Sequence, residues 1–227
     1  MNESTLRQLT TLQYADSFFP SGAVAFSFGL ETLVQDGVVQ DAGDVQRFLC
    51  DQIEFRWASA DRVVLSAAWQ AGSDMSKLQQ IDALQESMTI SQALREGSRR
   101  AGAALLSVHR ELNTIGAQEF SDAVSAEQTP GHLNVVQGLA WRGGGLALES
   151  CQLISAHSLC VGVLGAALRL SVIGHLNAQR ILTALHPVID VVLHRPMPPL
   201  ECVSAYSPLG EIATMRHVGQ ISRLFSN

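Results

Sequence analysis

Charge is what this chain has least of. Lys, Arg, Asp and Glu supply 16% of its 227 residues, against about 25% in ordinary globular chains. That is too little to coat a free monomer, so part of the surface is expected to be covered by partners or by a second copy. Lysine is reduced to Lys77, which follows no glycine-rich loop. A GxxxxGK[ST] phosphate loop is thereby excluded and a lysine Schiff base is disfavoured. Excess positive charge is missing too: the net charge is −6 and the pI about 5.6, which argues against a nucleic-acid binder. The four cysteines, Cys50, Cys151, Cys160 and Cys202, have no CxxC spacing. They read as small buried apolar residues in a reducing compartment, not as a zinc site or disulfide framework. The opening MNESTLRQLTTLQYADS lacks the basic start and apolar stretch of a signal peptide, and a cytoplasmic location is expected. Neither GxSxG nor HExxH occurs, and no His and Cys pair at ligand spacing. No catalytic residue is therefore expected, and the chain reads as a non-enzyme.

What is present is a long apolar run, Ser150 to Leu168, closed off by Glu149 and Arg169. Its large residues, Leu153, Ile154, Leu159, Val161, Val163, Leu164 and Leu168, point all round a helical wheel, so the helix is expected to be buried on every side. Ser158, Gly162 and Ala166 recur every fourth residue and leave one face low enough for a neighbouring helix. The run approaches the roughly 20 residues a membrane span needs. It carries Gln152, Ser155, His157 and Ser158 in its first half, however, and a buried helix without membrane contact is the better reading. His157 within it reads as a hydrogen-bonded core histidine.

Around this run the periodicity predicts an all-α fold, a single domain over 1–227 with roughly eight to ten helices and no strand. Ser4 caps a first helix with Leu6, Leu9 and Leu12 on one face, ended by Pro20 and Gly22. A second helix, containing Gly29, runs to Asp36. The phenylalanines 18, 19, 26 and 28 around the break are either core or a docking surface. Helices then start at Asp41 to Asp44, at a cap on Asp61, and around Leu78. A longer one spans Ser91 to Ile115, with Leu94, Ala101, Leu105, Val108 and Leu112 inward. Its outer arginines, Arg95, Arg99, Arg100 and Arg110, form either a solvated face or a surface for an acidic partner. Residues 116–131 read as a loop and His132 to Trp141 as a helix. Gly143, Gly144 and Gly145 make a tight connection into the central run. A helix through Ile181 to Val192 is expected to kink at Pro187. Ser207-Pro208 opens a short amphipathic helix with Leu209, Ile212, Ala213 and Met215.

Two blocks carry a resemblance. Pro20 to Glu31, PSGAVAFSFGLE, resembles the PVGGFSYSxGLE signature of the urease accessory protein UreF family. Ser207 to Asn227, SPLGEIATMRHVGQISRLFSN, is similar to that family's SPLLDIASMRHETQYSRLF ending. Between them Arg95-Glu96-Gly97-Ser98 with Gly102, then His132, then Arg169, Gly174 and Gln179 fall in the family's order. Ala23, Val24 and Ala25 stand where the family has Gly-Phe-Ser, His175 where glutamine is usual, and Val218 and Ile221 where the tail has an acid and a tyrosine.

The resemblance implies a non-catalytic nickel-insertion factor that forms a homodimer and binds UreD, also called UreH. The complex then recruits the GTPase UreG, and through it reaches the urease apoprotein. It implies no directly bound cofactor, since nickel and GTP enter through partners, and no nucleic acid or membrane. Partner contacts are implied at Pro20, Gly22, Phe26, Ser27, Gly29 and Glu31, and at Arg169, His175 and Gln179. In the C-terminal block, where 207–227 would be a short helix plus a partner-binding tail, they are implied at Ser207, Pro208, Met215, Arg216, His217, Gln220, Arg223, Leu224 and Phe225. Arg216, His217 and Arg223 are the candidate polar anchors, although Arg216 and His217 could instead pair within the fold. The alternative function is a metallochaperone that holds nickel itself, since imidazole suits nickel; the seven histidines define no site by spacing.

Overall fold

The computed structural model describes residues 3–20 and 27–217, with Glu3 and His217 described by their backbone alone. It is all-α, with no strand among the described residues. The helices are α1 (Glu3–Ala15), α2 (Leu30–Gln35), α3 (Ala42–Gln52), α4 (Arg62–Ala71), α5 (Met75–Met88), α6 (Gln92–Glu111), α7 (Ala117–Ser125), α8 (Leu133–Gly143), α9 (Leu148–Arg169), α10 (His175–His194) and α11 (Pro208–His217). The short side chains that the sequence offers at helix starts satisfy orphan backbone donors there. Asp41 accepts the amide of Asp44, Asp74 that of Lys77, and Ser91 that of Leu94. Asp44 in turn accepts the Gln40 amide at 2.9 Å, closing a reciprocal capping box.

The central run is α9, and the core is organised along its length. Cys151 and Ile154, in its first half, join one apolar cluster with α4, α5, α6, α7 and α8. Its second half, Ala156 to Ala167, joins another with α2, α3 and α10. The helix is long and apolar enough to cross a membrane, but 61% of its apolar window is buried inside the protein, as in the core helix of a globular fold. One expectation fails. Leu153 is exposed, and His157, Val161 and Gly165, each four residues further on, are half-buried. The helix thus keeps one partly open stripe.

Several boundaries differ from the sequence reading. Asp61 does not cap a new helix: α3 continues into α4 through a π-helical stretch, Ile53–Asp61, and the Asp61 carboxylate instead accepts from Asn134 Nδ2 at 2.8 Å. Residues 116–131 contain α7, whose Ala117, Phe120 and Ala123 are buried. Gly29 is not inside α2 but caps it with a left-handed φ of 86°. Pro187 lies within α10 without ending it. Leu112 is exposed. Leu6, Leu9 and Leu12 also face solvent, because α1 turns Ser4, Arg7, Gln8 and Thr11 toward Ser150 of α9.

Two features lock the arrangement. The buried Arg62 guanidinium donates to the carbonyls of Val192 at 2.7 Å and Leu193 at 2.9 Å, meeting the negative end of α10 with positive charge. At the other end, α1 is tied down by Tyr14 and Phe19 stacking around the fully buried His109 of α6, with centroid distances of 5.0 and 5.8 Å. Burial pushes the His109 imidazole down to about 4. An unfolded histidine titrates near 6.5, so the unfolded chain takes up this proton first as pH falls. The His109 contribution is therefore fully present above about pH 6.5 and is lost between there and about pH 4, to the extent of about 3 kcal/mol. Urea melts at pH 7 and pH 4.5 should show that loss, and a His109→Gln variant should lose distinctly less between the same two pH values.

Candidate interaction surface

The two sequence blocks at opposite ends of the chain come together. α11 packs on α2 and α6, and it does so with its small residues. A Cβ on Gly29 would stand 2.5 Å from the Gly210 carbonyl oxygen and 2.9 Å from Ala213 Cβ, so the glycine is there to let two backbones touch. Ala213 and Thr214 are buried against this contact. Gln52 donates to Ser207 Oγ at 2.6 Å beneath it, and Arg216 forks onto Asp36 at 2.6 and 3.2 Å across it.

With its small side against the body, α11 turns its large apolar side outward. Leu209 is 54% exposed, Ile212 56% and Met215 42%. Beside them lie Tyr206, 74% exposed, and Phe55, joined by a 2.8 Å hydrogen bond from the Tyr206 amide to the Phe55 carbonyl. The sequence reading expected an amphipathic helix, but its apolar residues are not confined to one face: Ala213 points inward while Leu209, Ile212 and Met215 are the outer ones. An exposed apolar cluster on a short helix is the ordinary mark of a docking surface.

The structure sorts the expected contact residues. Pro20, Pro208, Met215 and Arg216 are exposed, as are Arg169, His175 and Gln179 on the turn between α9 and α10. Ser27, Gly29, Glu31 and Ser207 are buried, so within this chain they shape the surface instead of offering a side chain to a partner. Arg216 already has an internal mate in Asp36. Gly22, Phe26, Gln220, Arg223, Leu224, Phe225 and the His217 side chain lie outside the described residues, as do Ala23, Val24, Ala25, Val218 and Ile221. Phe55, Tyr206, Leu209 and Ile212 were not singled out as contacts; only the proximity of Tyr206, Leu209 and Ile212 to Ser207-Pro208 pointed toward them.

Each arginine of the cluster has a partner within the chain, while Arg99, Arg100 and Arg110 stay exposed. Arg95 and Arg99 both pair with Glu86, Arg110 donates to Gln118, and Arg100 is also partnered. Glu86 also meets His132 Nε2 at 2.7 Å, and Arg99, with His132 beside it, holds the Glu86 carboxyl below its usual range. The neighbouring Asp82, fully buried, accepts from Thr129 Oγ1 and the amides of Gly131 and His132 at 2.6 to 2.9 Å. Ser98 accepts the Leu133 amide. Arg95, Ser98, Gly102 and His132, scattered in sequence, thus form one junction between α5, α6 and α8. Among the described residues no group of three or more His, Cys, Asp or Glu is placed to hold a metal ion.

Fold and surface together define the class: an all-α protein with no metal-binding cluster among the described residues and with an exposed apolar helix face. The UreF family model matches residues 39–186. A urease accessory protein UreF of Trichodesmium erythraeum is 31% identical over 234 residues, covering all of both chains. Those of Cereibacter sphaeroides and Brucella ovis are 28% and 26% identical, covering 96% and 99% of this chain and 97% and 96% of their own lengths. The chain belongs to the UreF family. The family model lies between the two end blocks, whereas the full-length relatives include them.

Proposed function

We propose that this chain is the non-catalytic docking component of urease maturation, which binds UreD through the outer face of α11 and, in that complex, recruits the GTPase UreG. The observation that carries this reading is the inverted helix: Leu209, Ile212 and Met215 are held facing solvent by the close packing of Gly29 on Gly210. The open stripe of α9 supports a homodimer. A side chain at Gly165 would meet no atom within 4 Å, leaving room for a second helix to approach. Nickel and GTP belong to the partners, the urease apoprotein is reached through the complex, and the protein works in the cytoplasm without nucleic acid or membrane.

The test is co-elution with the cognate UreD by size-exclusion chromatography with light scattering. Leu209→Ser combined with Ile212→Ser should weaken binding about 100-fold or more, since burying each side chain contributes about 1.5–3 kcal/mol. Circular dichroism should be unchanged, because both positions are already exposed. Undiminished binding by that variant, or no complex with the unmodified chain, sinks the reading.

A further inference from the structure

Between α10 and α11 the chain reads Arg195-Pro196-Met197-Pro198-Pro199-Leu200, so three of its seven prolines fall within four positions. One proline would be enough to end α10. Proline holds φ near −65°, and a residue that precedes proline is pushed to extended ψ. These rules drive the run toward polyproline II, and both of its ends lie there. Arg195 has φ −69° and ψ 142°, and Pro199 has φ −66° and ψ 158°, against about −75° and 145° for that helix.

Polyproline II repeats every three residues, which gives the run three edges. Met197 and Leu200 share one, and it is turned inward: both line a groove with Val63, Ala67 and Gln70 of α4. Pro196 and Pro199 share another, and both are exposed. On the third, Pro198 is half-buried and Arg195 exposed. The dipeptides Arg195-Pro196 and Pro198-Pro199 are thus presented one turn apart, with Met197 between them as the anchor.

The ridge is held at both ends. Arg62 grips the Val192 and Leu193 carbonyls before it. After it, the Cys202 amide donates to the Pro199 carbonyl at 2.9 Å and the Ser204 amide to the Ser59 carbonyl of the π-helical stretch at 3.1 Å. Folding has therefore already fixed the conformation that a free peptide would have to order on binding. Among the described residues the carbonyls of Pro196, Met197 and Pro198 accept no hydrogen bond, which leaves a row of acceptors along the ridge. At its start Arg195 Nη2 lies 3.9 Å from Glu54 Oε1, a surface pair weak enough to be exchanged for a partner's carboxylate.

We propose that the Arg195 to Leu200 ridge is a docking site, separate from the α11 face, for a protein whose surface carries a groove lined by aromatic side chains with a carboxylate at one end. Such grooves take preformed polyproline II segments. Indole N–H and phenol O–H groups in the groove would donate to the free carbonyls, and the carboxylate would meet the Arg195 guanidinium.

The probe is a purified SH3 domain, which has a groove of this kind, titrated into the isotope-labelled full chain. The control is the same domain with its groove tryptophan replaced by alanine. Saturable shifts of the Met197 and Leu200 amides are expected with the intact domain alone. Pro196→Ala and Pro199→Ala, both at exposed positions, should each weaken binding about tenfold, as loss of a central contact does, with circular dichroism unchanged. Should Pro199→Ala disturb the turn that follows it, Pro196→Ala decides. The Leu209→Ser, Ile212→Ser variant should bind the probe as the parent does, which separates this site from the α11 face. Absence of saturable shifts, equal shifts with the control domain, affinity undiminished by Pro196→Ala, or binding lost with the α11 face would each overturn the proposal.

Discussion

Replacing Gly102 by alanine is expected to lower the thermal midpoint by roughly 6–12 °C, as for a loss of about 3 kcal/mol in a chain of this size. The sign is a contest between two effects. In a helix interior, alanine is intrinsically better than glycine by about 1 kcal/mol, so an open site would be stabilised. Gly102 in α6 is not open: its Cβ would stand well inside van der Waals contact with the Gly131 carbonyl oxygen, and 3.1 Å from both His132 C and Leu133 N. All three are backbone atoms, and that backbone is held by Asp82 and Ser98 through four hydrogen bonds, to Thr129, Gly131, His132 and Leu133. Neither side can yield cheaply, so the overlap outweighs the propensity gain. A Gly102→Ala chain that melts at or above the parent temperature would mean that the α6 to α8 junction is looser than it looks.

The same junction marks where sequence reading stops. The 3.6-residue pattern of Val45, Phe48, Leu49 and Ile53, or of Leu94, Ala101 and Leu105, gives helices because burial on one face repeats along the chain, and those residues are buried. Asp82 and Glu86 offer no such repetition. They are two acids on the middle helix of a run, and their roles exist only once the 129–133 segment and α6 are brought against α5. α7 was missed for a related reason: Phe120 is its single large apolar side chain, and the surrounding charges made the stretch read as loop. The leucines of α1 illustrate the converse. Their spacing was legible, but which side of a helix faces the body depends on what it meets, and α1 meets α9 through polar side chains.

The candidate surface was half legible in the same sense. In the sequence reading Gly29 stands inside a helix, where a glycine costs about 1 kcal/mol, and its reason is Gly210, 181 positions away and invisible to any local pattern. Ser27 and Glu31 were expected as contact residues because they belong to the resembling motif, but both are buried. Their burial places them underneath. The residues that do face outward on α11, Leu209 and Ile212, read as core by composition alone.

That packing makes Gly29→Ala the sharpest test of how the surface is held. The φ of 86° at Gly29 costs an L-residue about 1–2 kcal/mol. The added Cβ meets the Gly210 oxygen at 2.5 Å and Ala213 Cβ at 2.9 Å, for a combined destabilisation on the order of 3 kcal/mol. α11 is a ten-residue helix that meets only α2 and α6 extensively, so the strain is relieved by letting it lift, not by unfolding the core. Amide exchange at Ala213 and Thr214 should accelerate about 100-fold, while the amides of α4 and α8 keep their protection. If UreD binds the packed helix, its apparent affinity must fall in proportion to the fraction of chains that still hold it packed, a loss that reaches about 100-fold only where the lifted form predominates. The Leu209→Ser, Ile212→Ser variant should lose binding with α11 exchange unchanged, and Gly29→Ala should lose binding with its outer face intact. Exchange showing that most chains hold α11 lifted, together with undiminished UreD affinity, would mean that the packed helix is not what the partner recognises, and the docking surface would have to be sought around Arg169 and His175 instead.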